Sequence, residues 1–284
     1  MKKTKNELFE KNKVFDLIQR LLVWFIQYGP KTKRWFWKVW YNIFARKSSN
    51  FDFNFMNYGY VENGFFPKLD PLDERERYPA QLYHHTASQE RVFGKNVLEI
   101  GSGRGGGTMH VFKYMKPKTI IGVDISKDAV ALCNSTYKDT GLSFETGDSE
   151  DLPFKEAVFD VVINVESSHC YGDIRKFLSE VNRVLKPGGF LLWTDFRTKN
   201  EMKNVFGFFS KSELHLIREK NITKNVVASL DELTKARRTE IKKHIPKIFQ
   251  PVFMSYAGIK GSDVYKSFLD GRFIYKSATL QKSN

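Results

Sequence analysis

The run Val97-Leu98-Glu99-Ile100-Gly101-Ser102-Gly103-Arg104-Gly105-Gly106-Gly107 constrains this 284-residue chain more than any other stretch. An apolar segment of strand character passes directly into a glycine turn, and a helix-compatible segment follows. A strand feeding a helix in this way belongs to βαβ architecture, where right-handed crossovers join parallel strands. Such a junction aims backbone N–H groups and the positive end of a helix dipole at whatever binds above the strand. Gly101 and Gly103 let a ligand approach the backbone where a Cβ would block it. Alone the turn is ambiguous, because Gly101, Gly103 and Gly106 also spell G-x-G-x-x-G, the dinucleotide fingerprint.

The middle of the chain repeats the strand–helix alternation. Periodicity predicts strands at 96–100, 119–124, 142–146, 159–164 and 189–196, with helices at 79–93, 106–115, 126–138 and 172–185. Past Asp195 it predicts a helix over Lys211–Lys220, a short strand at Ile222–Val226 and a charged helix over Ser229–His244. Helical segments at 247–257 and 261–270 and a closing strand, Phe273–Leu280, follow. This division gives an arm (1–75), a core (76–226) and a cap with closing strand (227–284).

Charge is spread unevenly along the chain. Residues 1–50 carry 12 Lys/Arg against 3 Asp/Glu and residues 196–284 carry 18 against 8, whereas 51–195 carries 16 against 21. An acidic middle suits a cationic ligand, and basic flanks suit an anionic surface. Val14–Tyr28 reads as an apolar helix that ends at Gly29-Pro30 and falls short of a membrane span. Lys31–Trp40 then interleaves Lys31, Lys33, Arg34 and Lys38 with Trp35, Phe36, Trp37 and Trp40, as an interfacial membrane anchor does. An aromatic, turn-rich arm over residues 50–75 contains Tyr58 and Tyr60. Two cysteines, Cys133 and Cys170, make no disulfide framework, so a reducing, cytoplasmic compartment with peripheral membrane attachment is expected. The histidines and cysteines show no H-x-x-E-H or C-x-x-C spacing, so no metal site is expected.

Three later features resolve the ambiguity of the glycine turn. Asp124 ends the second strand, Gly147-Asp148-Ser149-Glu150-Asp151-Leu152-Pro153-Phe154 follows the third, and Leu185-Lys186-Pro187-Gly188-Gly189 precedes the fifth. In that order they resemble the class I S-adenosylmethionine (SAM) methyltransferases over roughly residues 80–200. The resemblance implies an α/β fold with a Rossmann-like sheet, mostly parallel with its last strand antiparallel, under a helical arm and cap. It implies SAM as cofactor, with Gly101 and Gly103 holding the methionine part and Glu99 ordering its amino end. Asp124 would accept hydrogen bonds from the ribose hydroxyls, the geometry dinucleotide folds also use. Asp148 and the backbone N–H of Ser149 would meet the adenine, and Ile125, Asn164 and Tyr60 complete the expected set. Tyr58 and Tyr60 could close over the cofactor as a lid.

At the end of the fourth strand the chain reads Asn164-Val165-Glu166-Ser167-Ser168-His169-Cys170-Tyr171. Methyltransferases acting on nucleic-acid amino groups carry Asp/Asn-Pro-Pro-aromatic there, and the absence of proline argues against nucleic acid as partner. This segment, with the Arg-Gly-Gly-Gly turn and Met56-Asn57-Tyr58-Gly59-Tyr60, is similar to the lipid hydroxyl methyltransferases of the phthiotriol dimycocerosate group. Sterol methyltransferases are more distant relatives. The implied reaction is methyl transfer to a hydroxyl of a small hydrophobic acceptor, with C-methylation of a sterol or isoprenoid alkene as the alternative. An inactive, membrane-binding relative is a third reading, opposed by the intact glycine turn and acidic residues. His169 is the first candidate for general base because an unperturbed imidazole titrates near pH ~6.5. Glu166 would anchor or polarise the acceptor. His84 and His85 could also line the pocket, although neighbours on a helix cannot both face it.

Overall fold

The computed structural model describes residues 54–247 and 250–284. The expected helix at Val14–Tyr28, the basic tryptophan segment at Lys31–Trp40, and Phe51 and Phe53 of the arm lie outside the described residues.

One seven-stranded sheet organises the chain. Its strands are β1 (Asn96–Ile100), β2 (Thr119–Asp124), β3 (Leu142–Thr146), β4 (Phe159–Val165), β5 (Leu185–Thr198), β6 (Leu214–Asn221) and β7 (Phe273–Lys282), in spatial order β3-β2-β1-β4-β5-β7-β6. Strands β1 to β5 pair in parallel, and β7 runs antiparallel between β5 and β6. Helix α1 (Arg77–Ala87) precedes β1, the crossover helices are α2 (Gly106–Met115), α3 (Lys127–Thr136) and α4 (Ile174–Val184), and α5 (Lys199–Phe209) links β5 to β6. Helices α6 (Thr223–His244), α7 (Gln250–Tyr256) and α8 (Asp263–Leu269) separate β6 from β7. The fold class read from the sequence is the one observed.

The central strands are mostly apolar because helices cover both faces. Leu98, Val162, Leu191 and Trp193 pack under α4 and α5 on one side, while Val97, Val161, Ile163 and Leu192 pack under α1 and α2 on the other. The strand order reverses between β1 and β4, and a ligand crevice opens there, above the carboxyl ends of the strands.

Two expectations after β5 are corrected. Lys211–Lys220 is not a helix: Leu214–Asn221 forms β6, because the outer edge of β7 offers a hydrogen-bond ladder that outweighs local helical tendency. Ile222–Val226 is not a strand but the entry into α6, which starts six residues before the expected Ser229. The helix in this region is α5, whose start is fixed by a capping box between Thr198 and Glu201.

Candidate functional site

The glycine turn leaves β1 and crosses beneath the carboxyl end of β4. Gly101 takes φ +82° and donates its N–H to the Val123 carbonyl at 2.7 Å. A Cβ there would lie 2.4 Å from the Ser167 side chain, so only glycine lets the turn pass under the β4 loop. Asp124, at the end of β2, accepts Gly103 N–H on Oδ2 and Ser126 N–H on Oδ1, each at 2.9 Å. These bonds fix its carboxylate over the turn, and burial raises its pKa.

A cavity of about 100 Å³ lies above this turn. Gly101, Gly103, Asp124, Ile125, Asp148, Ser149 and Glu166 all line it, so seven residues expected from different parts of the sequence converge on one space. Asp148 accepts the Glu150 N–H at 3.0 Å, which turns the loop after β3 across the cavity.

Three expected residues stand elsewhere. Glu99 is buried behind the turn, where Tyr83 Oη (2.8 Å) and Thr108 Oγ1 donate to its two oxygens. Burial pushes it up to about 7 against those two bonds. Asn164 lies behind the wall and braces it, donating from Nδ2 to Ile100 O, Ser167 Oγ and Tyr171 Oη at 2.8–2.9 Å. Tyr60 does not reach the smaller cavity. It is fully buried, stacks 4.2 Å from His85 and donates its hydroxyl to Glu62, because its backbone N–H is tied to Tyr78 O in α1. The arm meets the cavity instead through Phe55, Met56 and Asn57. His85 lies under Tyr60, while His84 contacts His110 at 3.2 Å, and neither lines a described cavity.

A second, larger cavity of about 410 Å³ adjoins the first. Its walls are largely apolar or aromatic, including Tyr58, Phe196, Leu233, Ile241 and Phe253. Helices α6 and α7 roof it, and the arm and α1 close one side. Phe55, Met56, Asn57 and Glu166 line both cavities, so the two meet at these residues.

Glu166 stands at that meeting point with φ +44°, just past the end of β4. Its Oε1 accepts Tyr58 N–H at 2.7 Å and Tyr275 Oη at 2.6 Å. Burial, reinforced by the charge of Asp195, pushes it up to about 7 despite those bonds.

His169 lines the larger cavity from the short 3₁₀ turn Ser168–Cys170. Its Nδ1 lies 2.9 Å from Asp195 Oδ1, and its backbone N–H donates to Asp195 Oδ2 at 3.0 Å. Asp195 has a side chain with no exposure, and it also faces the Arg197 guanidinium at 2.9 Å. Burial opposes the imidazolium, but Cys170 and Asp195 beside it more than compensate, so His169 is pushed up to about 10. Asp195 was absent from the sequence-derived set. Its signal was a lone carboxylate inside the apolar run Phe190-Leu191-Leu192-Trp193-Thr194-Asp195-Phe196, at the carboxyl edge of the sheet.

Residues 98–193 match the family model described as a methyltransferase domain. The chain is 33% identical over 250 residues to the phthiotriol/phenolphthiotriol dimycocerosates methyltransferase of Mycobacterium tuberculosis, covering 87% of this chain and 92% of the relative. The chain belongs to that family of SAM-dependent methyltransferases. A fatty-acid O-methyltransferase of Mycolicibacterium smegmatis is 36% identical over 222 residues, covering 77% of this chain and 80% of the relative. Among solved structures, geranyl diphosphate C-methyltransferase from Streptomyces coelicolor superposes with a TM-score of 0.65 at 15% identity, over 88% of this chain and 97% of the other. The [4+2]-cyclase SpnF superposes with a TM-score of 0.67 at 17% identity, over 87% and 94%. At these identities the superpositions establish the fold alone.

SAM is the cofactor of this family, and the carboxylates and backbone N–H groups around the smaller cavity are of the chemical kind that suits its cationic and polar parts. The buried Ser102 hydroxyl in the cavity wall has no hydrogen-bond partner among the described residues, as expected where a polar ligand supplies one.

Proposed function

We propose that this methyltransferase acts on a hydroxyl group of a hydrophobic acceptor, with SAM over the glycine turn and the acceptor in the larger cavity. The observation that carries the reading is the shared wall: Glu166 borders both spaces, so a carboxylate sits where the two reactants would meet. SAM brings an electrophilic methyl group on a sulfonium. The chain's own tasks are to align two reactants, exclude water and receive one proton.

In this reading Asp124 accepts the ribose hydroxyls, while Asp148 and Ser149 meet the adenine. The turn at Gly101–Gly103 takes the methionine portion. Glu99 acts at one remove, by fixing Tyr83 and the start of α2. Glu166 accepts the hydroxyl proton as the new C–O bond forms. A carboxylate titrating near 7 is matched to that task at neutral pH, whereas an imidazole held up to about 10 is already protonated. His169 therefore serves as a cationic donor that orients the acceptor oxygen, with Asp195 holding its ring. The arm and the cap over 227–284 roof the core, and residues 14–40 attach the enzyme to anionic bilayers where its acceptor resides.

A second reading, methyl-ester formation on a carboxylate, is favoured by Arg237. This residue lines the larger cavity, and its guanidinium donates to Ala257 O at 2.9 Å and Asn57 O at 2.6 Å. One experiment separates these readings: purified protein is incubated with methyl-labelled SAM and a total lipid extract, and the labelled product is treated with base. A base-stable methyl ether supports hydroxyl transfer. A base-labile ester supports the carboxylate reading, and label on carbon overturns both.

A further inference from the structure

Glu166 can accept a proton at the junction only if its carboxylate is held in one rotamer with an oxygen facing the reactants. The residue that does this comes from the far end of the chain. Tyr275 lies on β7, between β5 and β6, and is fully buried. Its backbone is tied on both sides, accepting Ile222 N–H at 2.9 Å and donating to Thr223 Oγ1 at 2.9 Å. Its ring stacks beside Phe196, 6.1 Å between centroids. A phenol so restrained presents its hydroxyl at one point, 2.6 Å from Glu166 Oε1. The Tyr58 N–H approaches the same oxygen, and Oε2 has no hydrogen-bond partner among the described residues.

We propose that Tyr275 is a positioning residue for methyl transfer, anchoring one oxygen of Glu166 to the sheet so that the other faces the junction of the two cavities. The assignment rests on the reading of Glu166 as proton acceptor. Loss of the phenol would free the carboxylate to rotate, and a misplacement of about 1 Å costs up to roughly 10²-fold in rate. Tyr275 also sets the charge state of its partner. A donor to the carboxylate favours the ionised form, acting with His169 and Arg237 against burial and the charge of Asp195. Tyr58, the other group against this oxygen, contributes a backbone N–H that does not titrate.

The test pairs a titration that needs no acceptor with a rate. Protein labelled with ¹³Cδ-glutamate is titrated by NMR, the Glu166 signal being assigned by its loss in Glu166→Gln. In Tyr275→Phe the Glu166 midpoint rises, by about half a pH unit or more, because a hydrogen bond to the carboxylate is gone. With 3-fluorotyrosine at position 275, a stronger donor, the midpoint falls. Single-turnover transfer from methyl-labelled SAM to a total lipid extract slows roughly 10–100-fold in Tyr275→Phe with SAM affinity unchanged. Added to Glu166→Gln, the same substitution has no further effect.

An unmoved midpoint in both proteins, or a normal rate in Tyr275→Phe, overturns the positioning role. Should Tyr275→Phe fail to fold, the fluorotyrosine protein decides by the direction of its shift. A wild-type rate in Glu166→Gln removes both the proton acceptor and its positioner. A slow Glu166→Gln beside a normal Tyr275→Phe removes the positioner alone.

Discussion

Replacing Gly101 by alanine tests whether the glycine turn is built around the loop that follows β4. Two costs add. The first is conformational: φ at Gly101 is +82°, and an L-residue there costs about 1–2 kcal/mol. The second is steric. The new Cβ would lie 2.4 Å from Ser167 Cβ and 2.5 Å from its Oγ, so Ser167 must move. Moving it disturbs its bonds to Asn164 (2.8 Å), Tyr171 (2.9 Å) and the Ile100 carbonyl (3.1 Å). Losing one or two of these at about 1 kcal/mol each brings the total to roughly 2–4 kcal/mol. Gly94 is the control, with φ +71° and nothing within 4 Å of where a Cβ would stand, so Gly94→Ala incurs only the first cost. At roughly 2–4 °C per kcal/mol, Gly101→Ala should melt about 5–15 °C below wild type and clearly below Gly94→Ala. Differential scanning calorimetry of the three proteins measures this, and titration calorimetry should find SAM binding weakened at least tenfold in Gly101→Ala alone. Equal melting temperatures for the two variants would refute the claim that Ser167 packs against the turn.

Asp124→Ala should weaken SAM binding by about 1.5–3 kcal/mol, because two ribose hydroxyls lose a charged partner; unchanged affinity in titration calorimetry would move the ribose elsewhere. Asp195→Asn removes one of the two groups, Cys170 and Asp195, that lift His169, so the His169 midpoint measured by NMR should drop from about 10. The lifted pKa of His169 stabilises the fold most fully below its unfolded value near ~6.5. That contribution disappears as pH rises through about 10, so the stability gap between wild type and Asp195→Asn should narrow over this window. A gap that widens with pH would contradict the pairing. Deleting residues 1–40 should release the protein from anionic vesicles in flotation while SAM binding persists, since basic side chains contribute about 1 kcal/mol each at such surfaces. Full-length protein that never floats would end the anchor proposal.

The glycine turn, Asp124 and the Asp148-Ser149 loop were legible because each marks a strand's carboxyl end, where local sequence and sheet topology agree. The region after Asp195 was less legible for a physical reason. Leu214–Asn221 is a strand only because β7, more than fifty residues later, supplies the partner edge. The expected helix at Lys211–Lys220 missed α5, whose Thr198–Glu201 capping box is a local signal that the sequence reading did not use. Tyr60 reads like Tyr58 in an aromatic arm, yet the two part company through tertiary contacts: one stacks on His85, the other donates its hydroxyl to Tyr256 O. Local sequence also gave no sign that Glu166 would share its oxygen between Tyr58 and Tyr275, partners 108 and 109 residues away.

The most direct measurement is the single-turnover rate of methyl transfer to the lipid acceptor across pH 5.5–9, for wild type, Glu166→Gln and His169→Ala. With Glu166 as proton acceptor, the wild-type rate rises with pH through a midpoint near 7, where the buried carboxyl ionises. Glu166→Gln should be slower by roughly 10²–10⁴-fold and flat through that range. His169→Ala should be slower as well, with its midpoint retained but moved upward, because a cation that favours the ionised carboxylate is gone. A Glu166→Gln enzyme with the wild-type rate and midpoint, or a midpoint that vanishes in His169→Ala instead, would contradict a working carboxylate where the two cavities meet.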